Sequence, residues 1–236
     1  MTKGRAVHEA SIPPGAGCYT APEAARLLKI PVLNIRRWLG GYSYLRDGER
    51  VARPPLWTPQ APRRGRQIDL GFRDLVELRF IDAFLKAGLS LATIRKCLEH
   101  ARHEVDDDRP FSTRRFQTDG RTIFFEGISK ADDSAVLDLK NRQFVFKQVI
   151  ARTFRDLDFE NDAVARWRPW RGKQSIVIDP LRSFGQPIAA KFGVPTVTLF
   201  EAAAAEGSVE RVASLYEVPV SIVRDAINFE TELRAA

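Results

Sequence analysis

A helix, a sharp turn and a second helix are encoded in residues 19–39, and this pattern constrains the fold more than any other part of the chain. Thr20 and Glu23 match a capping box, in which each side chain satisfies a free N–H group at a helix start. Pro31 breaks the apolar pattern and suits the first turn of the following helix. The Gly-Gly pair at 40–41 then ends that helix. The sequence therefore predicts a helix-turn-helix.

The second helix separates apolar from polar side chains. Its apolar members recur at the spacing of one helix face: Ile35, Trp38 and Leu39. Its polar members must then point mostly away from the core: Asn34, Arg36 and Arg37. In the major groove of DNA, arginine can form two hydrogen bonds to guanine and asparagine two to adenine. This helix has the chemistry to read bases.

The net charge of the chain is concentrated around this pattern. Residues 1–70 hold 12 basic and 5 acidic residues, a balance of +7, and the whole chain holds 37 and 30, also +7. The remaining residues are therefore neutral overall. Positive charge clustered on a helix-turn-helix indicates a polyanionic partner.

Residues 42–69 are rich in arginine, proline and glycine, and Trp57 and Ile68 are candidate strand anchors. We interpret this stretch as a β-hairpin wing with a long tip, whose arginines contact phosphates or enter a minor groove. The alternative is a basic loop without fixed structure. Apolar residues at helical spacing over 72–87 and 94–101 predict two further helices, with Cys97 in the core.

These pieces carry a family resemblance. The matching segments are Tyr19-Thr20, Ile30-Pro31-Val32, Arg36-Arg37-Trp38 and Ala87 to Leu91. In their order and spacing, residues 19–100 resemble the MerR-type winged helix-turn-helix, and we assign this unit to residues 18–104. The resemblance implies that the second helix reads the major groove and that the wing touches the DNA backbone. The candidate DNA-contacting residues of this unit are Thr20, Asn34, Arg36, Arg37, Tyr42, Arg46, Arg50, Arg53, Arg63, Arg64 and Arg66.

The chain departs from that family after Arg102, where a long dimerising helix would continue. Three consecutive acids, Asp106 to Asp108, are most simply a solvated linker. Residues 111–173 then predict a β-rich middle and dimerisation unit. In it, a hairpin over 116–125 turns at Asp119-Gly120, and a second hairpin covers 136–146. The overall fold class is α+β.

No catalytic motif stands out, and we expect neither an enzyme nor a bound cofactor or metal. Asp156, Asp158 and Glu160 alternate, so a strand would place them on one face, where they could hold a nuclease metal ion. A solvated face opposite Leu157 and Phe159 is the favoured interpretation.

Residues 174–236 predict three short helices with a tight turn before the last, a second helix-turn-helix candidate. If it contacts DNA, its exposed readers are Ser221 and Arg224; otherwise it only builds a dimer. The unit resembles a domain of unknown function seen in VapB-like antitoxins. The matching motifs are Asp179-Pro180, Gly185-Gln186-Pro187, Val194-Pro195-Thr196 and Gly207 to Glu210, whereas Lys191-Phe192-Gly193 departs from the family's Gly-Thr-Arg.

The combined layout resembles long VapB-type antitoxins. This resemblance implies neutralisation of a PIN-like ribonuclease toxin and repression of the chain's own operon through double-stranded operator DNA. A homodimer is expected, because operators of this kind are two-fold and one module buries little DNA surface. The alternative is an effector-responsive MerR-like regulator whose middle unit binds a small molecule. The first residues lack a signal-peptide pattern and no apolar run could span a bilayer, so we expect a cytoplasmic protein.

Overall fold

The computed structural model describes most of the chain, which consists of helices and small antiparallel sheets. It covers residues 12, 16–61, 65, 67–129, 139–170 and 172–235. No helix within these ranges is both long and apolar enough to cross a membrane. The predicted contacts Arg63, Arg64 and Arg66 lie outside these ranges.

The first part of the chain contains the predicted helix-turn-helix. Its elements are β1 (Cys18–Thr20), α1 (Ala21–Leu28), α2 (Val32–Gly40), β2 (Tyr42–Arg46), β3 (Glu49–Arg53), β4 (Asp69–Gly71), α3 (Phe72–Lys86) and α4 (Leu91–Val105). The capping box is present at the start of α1: the Thr20 N–H donates to Glu23 Oε2 over 2.7 Å, and the Glu23 N–H donates to Thr20 Oγ1 over 3.4 Å. Strands β1 and β4 pair antiparallel.

A hairpin forms within residues 42–69, but its predicted long tip is wrong. Strands β2 and β3 pair from Tyr42 with Arg53 to Arg46 with Glu49. The turn between them is only Asp47-Gly48, and both residues have positive φ, 52° and 82°, as a tight hairpin turn requires. Trp57 and Ile68 are not strand anchors. Both are buried in the core, Trp57 on the segment that follows β3 and Ile68 directly before β4.

The β-rich middle is also wrong, because helices fill most of it. Residues Arg114–Ser129 form α5 and Leu139–Phe154 form α6. The predicted hairpin turn at Asp119-Gly120 lies inside α5, where the buried side of the helix includes Phe116, Gly120, Ile123 and Phe124. Of the second predicted hairpin, residues 136–138 lie outside the described ranges and the rest belongs to α6. Helical burial spacing overrides the local turn signal here.

A four-stranded antiparallel sheet and three helices complete the chain. The sheet order is β5 (Leu157–Glu160), β6 (Ala163–Trp167), β7 (Ile176–Ile178) and β8 (Pro187–Ala189). The helices are α7 (Thr196–Glu206), α8 (Val209–Leu215) and α9 (Val220–Arg234). Trp170 joins the two parts, since its ring packs edge-on against Phe229 of α9 with centroids 5.7 Å apart.

Phenylalanine side chains form the centre of the main core. Phe80 and Phe84 of α3 are fully buried and meet rings from the two middle helices. The Phe80 and Phe154 ring centroids lie 4.8 Å apart, and those of Phe84 and Phe124 lie 4.7 Å apart. Helices on both sides of residue 111 therefore share one core, and the unit borders drawn at 104, 111 and 174 stay predictions.

A buried ion pair ties the segment after the hairpin to this core. Asp74 on α3 is fully buried, and its carboxylate accepts a hydrogen bond from Arg109 Nε over 2.7 Å. The same carboxylate accepts from the Trp57 indole over 2.9 Å and from the Gln60 N–H over 2.7 Å. Arg109 also donates to the carbonyl of Thr58 over 2.8 Å.

The predicted solvated linker after α4 is part of this network. Asp107 accepts a hydrogen bond from Arg73 over 2.9 Å and from the Arg109 N–H over 2.7 Å. Asp106 takes the left-handed conformation that ends α4, and the chain then turns back onto α3. Asp106 and Asp108 are exposed, as a solvated run requires, whereas the half-buried Asp107 is held by Arg73 of α3.

The N-terminal strand also meets the C-terminal part directly. The Tyr19 hydroxyl donates to the Gly185 carbonyl over 2.9 Å, and the Gly17 N–H donates to the Pro180 carbonyl over 2.7 Å. The two backbones cross so closely that a Cβ on Gly185 would lie 2.7 Å from the Gly17 Cα. Burial raises the pKa of the Tyr19 hydroxyl, which stays a donor at physiological pH.

We expect Asp74→Ala to lower the free energy of unfolding by about 3–5 kcal/mol, because it leaves the Arg109 guanidinium buried without its counter-charge. Urea denaturation followed by circular dichroism measures this. The control is Lys86→Ala, which breaks the exposed 2.6 Å pair with Asp82 on the same helix and should change stability by no more than about 0.5 kcal/mol. Equal losses for both variants would contradict the assigned role of the buried pair.

We expect the buried Glu77 carboxyl to make the free energy of unfolding depend on pH. Its carboxyl is buried beside the network and accepts the Ser112 N–H over 2.9 Å, and burial raises its pKa to about 7. A carboxyl whose pKa is raised on folding contributes its full stabilisation of the folded state below its unfolded pKa. That contribution is lost as pH rises through the folded pKa.

The Glu77→Gln side chain stays neutral throughout this range. We therefore expect the stability of this variant relative to the wild type to rise between pH 5 and pH 8, by up to about 3 kcal/mol. If the urea midpoints of the wild type and of Glu77→Gln changed in parallel with pH, this expectation would be wrong.

Candidate nucleic-acid interface

Helix α2 presents the face that the sequence predicts. Ile35, Trp38 and Leu39 are buried, while Arg36 and Arg37 are exposed and Asn34 is half-buried on the flank. Pro31 precedes the helix and its carbonyl accepts the first N–H bonds, from Asn34 and Ile35. The two arginines therefore lie on the solvent-exposed face of a helix whose opposite face is packed in the core.

The β2–β3 hairpin stands beside this helix and orients one of its arginines. The Arg37 guanidinium lies over the Tyr42 ring, 4.6 Å from its centroid, a cation–π contact. On the hairpin itself, Arg53 donates to the Tyr44 hydroxyl over 3.4 Å. Arg50 donates to Ser43 Oγ over 3.0 Å. Tyrosine and serine thus hold the arginines along the hairpin while leaving their charge exposed.

A cationic groove of about 440 Å³ lies between α2, the hairpin and α4. Its lining includes Arg37, Tyr42, Arg53, Ala92, Arg95 and Lys96, and none of the described residues that line it is acidic. Arg95 and Lys96 of α4 were not among the predicted contact residues. Arg95 and Lys96 lie between the buried positions Ile94 and Cys97, so the helix period that places those two inside also places the cations toward the groove.

Arg95 also positions the base of the hairpin. Its guanidinium donates to the Pro54 carbonyl over 2.7 Å and to the Pro55 carbonyl over 2.8 Å. Next along the chain, the Leu56 N–H donates to the Trp38 carbonyl over 2.7 Å. The segment that leaves the hairpin is therefore fastened to both α4 and α2, which fixes the groove walls relative to each other.

The other predicted contact residues lie in different settings. The Thr20 hydroxyl is engaged in the capping box of α1. Arg46 is exposed near the hairpin turn, 3.7 Å from Asp47. Ser221 and Arg224 are exposed on α9, where Arg224 lies 3.3 Å from Glu210. Residues 196–234 around them hold seven acidic and three basic residues, a balance of −4, opposite in sign to the N-terminal part.

The alternating acids, Asp158 and Glu160 on β5 and Asp156 just before it, are engaged by arginines. Each carboxylate is paired with an arginine: Asp156 with Arg79 at 2.7 Å, Asp158 with Arg168 at 2.7 Å, and Glu160 with Arg166 at 2.5 Å. Across the described ranges, no three histidine, cysteine, aspartate or glutamate residues are grouped to hold a metal ion. The acids instead join the sheet to α3 and to its own neighbouring strand.

Three comparisons show which known proteins this chain is similar to. Residues 17–98 match the family described as "Putative DNA-binding HTH domain". The chain is 27% identical over 221 residues to "Putative antitoxin VapB45" of Mycobacterium tuberculosis (strain ATCC 25618 / H37Rv), a match that covers 89% of this chain and 92% of that protein. The crystal structure of Rv2018 from Mycobacterium tuberculosis shares the fold, with a TM-score of 0.70 and 22% identity over 89% of this chain and 96% of that one. The N-terminal part is therefore a helix-turn-helix that is similar to a family described as DNA-binding.

Proposed function

We propose that this chain is a DNA-binding antitoxin that, as a homodimer, represses its own operon and neutralises a ribonuclease toxin of the PIN-like class. The observation that carries the DNA part is the group of exposed arginines on α2 and the hairpin, together with the cationic groove that α4 helps to line. The antitoxin part draws on the similarity to the M. tuberculosis relative named as an antitoxin.

In the proposed complex, α2 lies in the major groove of an operator. Arg36 and Arg37 face the bases and Asn34 reaches them from the flank of the helix. Arg37 enters already oriented by Tyr42, which lowers the side-chain entropy lost on binding. The hairpin arginines Arg46, Arg50 and Arg53, with Lys96, then neutralise phosphates on either side, a term that makes binding steeply dependent on salt.

The charge of the C-terminal helices favours a protein partner over DNA. Their balance of −4 opposes contact with phosphates, and both Arg211 and Arg224 already lie beside glutamates, at 3.5 Å from Glu206 and 3.3 Å from Glu210. A ribonuclease must carry a basic surface to bind RNA, and such a surface complements acidic helices. We therefore assign toxin contact to α7–α9 and withdraw Ser221 and Arg224 from the DNA face.

The DNA proposal is tested with two double variants, one that removes two arginines from α2 and one that removes two arginines from the C-terminal helices. On a fragment of the chain's own promoter, Arg36→Ala with Arg37→Ala should weaken binding at least about 100-fold, because two base-reading contacts are lost. Arg211→Ala with Arg224→Ala removes the same charge from the C-terminal helices and should leave affinity within about twofold. Fluorescence anisotropy at several salt concentrations measures both. Equal losses in the two variants would mean that binding is only a matter of net charge.

The antitoxin proposal is tested with the product of the adjacent gene. Co-expression should yield a stable complex whose ribonuclease activity is suppressed, and the Arg36→Ala, Arg37→Ala variant should suppress it equally. Replacing Glu206, Glu210 and Glu217 with glutamine should weaken the complex while leaving promoter binding intact. A neighbouring protein that neither binds nor is inhibited, beside normal promoter binding, would contradict the antitoxin role.

A further inference from the structure

Two exposed leucines interrupt the cationic surface. Among the described residues, large apolar side chains that are strongly exposed include Leu33 on α2, 64% exposed, and Leu45 near the hairpin turn, 75% exposed. Leu33 is the second residue of α2. The helix-turn-helix thus presents an aliphatic side chain beside the arginines that are proposed to read DNA.

The helix period places Leu33 directly opposite the core. Successive residues turn by about 100° around an α-helix. Relative to the buried side chains of Ile35, Trp38 and Leu39, this turn brings Leu33 and Arg37 to the outermost line of α2, one helical turn apart. Arg36 lies to one side of that line. Any duplex that contacts the two arginines therefore also covers Leu33.

The position of Leu33 near the helix start matters, because residues at the N-terminal end of a recognition helix lie closest to the base edges. An isobutyl group can form no hydrogen bond there. Pressed against the N7, O6 or O4 acceptors or the amino donors of the bases, it would leave them without water or partner, which costs free energy. The 5-methyl group of thymine is the apolar feature that the major groove offers.

We propose that Leu33 packs against the 5-methyl group of a thymine in the operator and so selects for an A·T pair at that position. The inference rests on the proposed function, since it requires α2 in the major groove. It assigns base selection to a residue that the hydrogen-bonding chemistry of the helix did not reveal, and it places the thymine next to the bases read by Arg36 and Arg37.

The test removes the methyl group from the DNA and the side chain from the protein in a double-mutant cycle. The promoter fragment is synthesised with thymidine or with deoxyuridine throughout, which deletes every 5-methyl group and keeps the base pairing. The wild type should bind the deoxyuridine fragment about fourfold more weakly for each contacted methyl, hence more than tenfold for two half-sites. Leu33→Ala should bind both fragments equally, with unchanged thermal unfolding because the side chain is exposed.

Leu45→Ala is the matched control, a strongly exposed leucine of the same unit. A hairpin that lies on the backbone or in the minor groove meets no thymine methyl, so this variant should keep the wild-type ratio between the two fragments. A Leu33→Ala variant that still discriminates as the wild type does, or a wild type indifferent to the methyl groups, overturns the inference alone. Failure of the wild type to bind the thymidine fragment at low salt overturns the proposed function with it.

Discussion

The buried pair of Asp74 and Arg109 is the interaction on which the rest of this architecture depends. The Asp74 carboxylate on α3 accepts hydrogen bonds from the segment after the hairpin and from the chain beyond α4. Because an isolated charge in a protein interior is so costly, neither partner can move without the other. The pair therefore holds the segment after the hairpin against the chain beyond α4, and hydrophobic packing alone would leave their relative position less defined.

Arginines serve two separate purposes in this fold. Arg95, Arg102 and Arg109 all donate to backbone carbonyls between residues 54 and 58 and so replace secondary structure in a segment that has none. Arg36 and Arg37 stay exposed on α2. Net charge by itself could not separate these roles. The structural arginines are distinguished by burial and by carbonyl partners, and neither property can be read from composition.

The sequence predicted the helix-turn-helix well, because its caps, proline and apolar spacing are local signals that agree with one another. It failed where one local signal competed with tertiary packing. Asp-Gly occurs twice: Asp47-Gly48 turns a hairpin, whereas Asp119-Gly120 lies within α5, where the missing side chain of Gly120 leaves room for the ring of Phe116. The groove residues Arg95 and Lys96 were missed for a related reason, since only the folded chain brings α4 beside the hairpin.

The close approach of Gly17 and Gly185 connects the N-terminal part of the chain directly to the turn at 180–185. Strand β1, which leads straight into α1, depends on the turn at 180–185 for two hydrogen bonds, and neither glycine has room for a side chain. Displacing this turn would remove both hydrogen bonds from the segment that leads into α1, including the one made by Tyr19, whose ring packs in the main core. By linkage, anything that fixed one of these two segments would also favour the ordered form of the other.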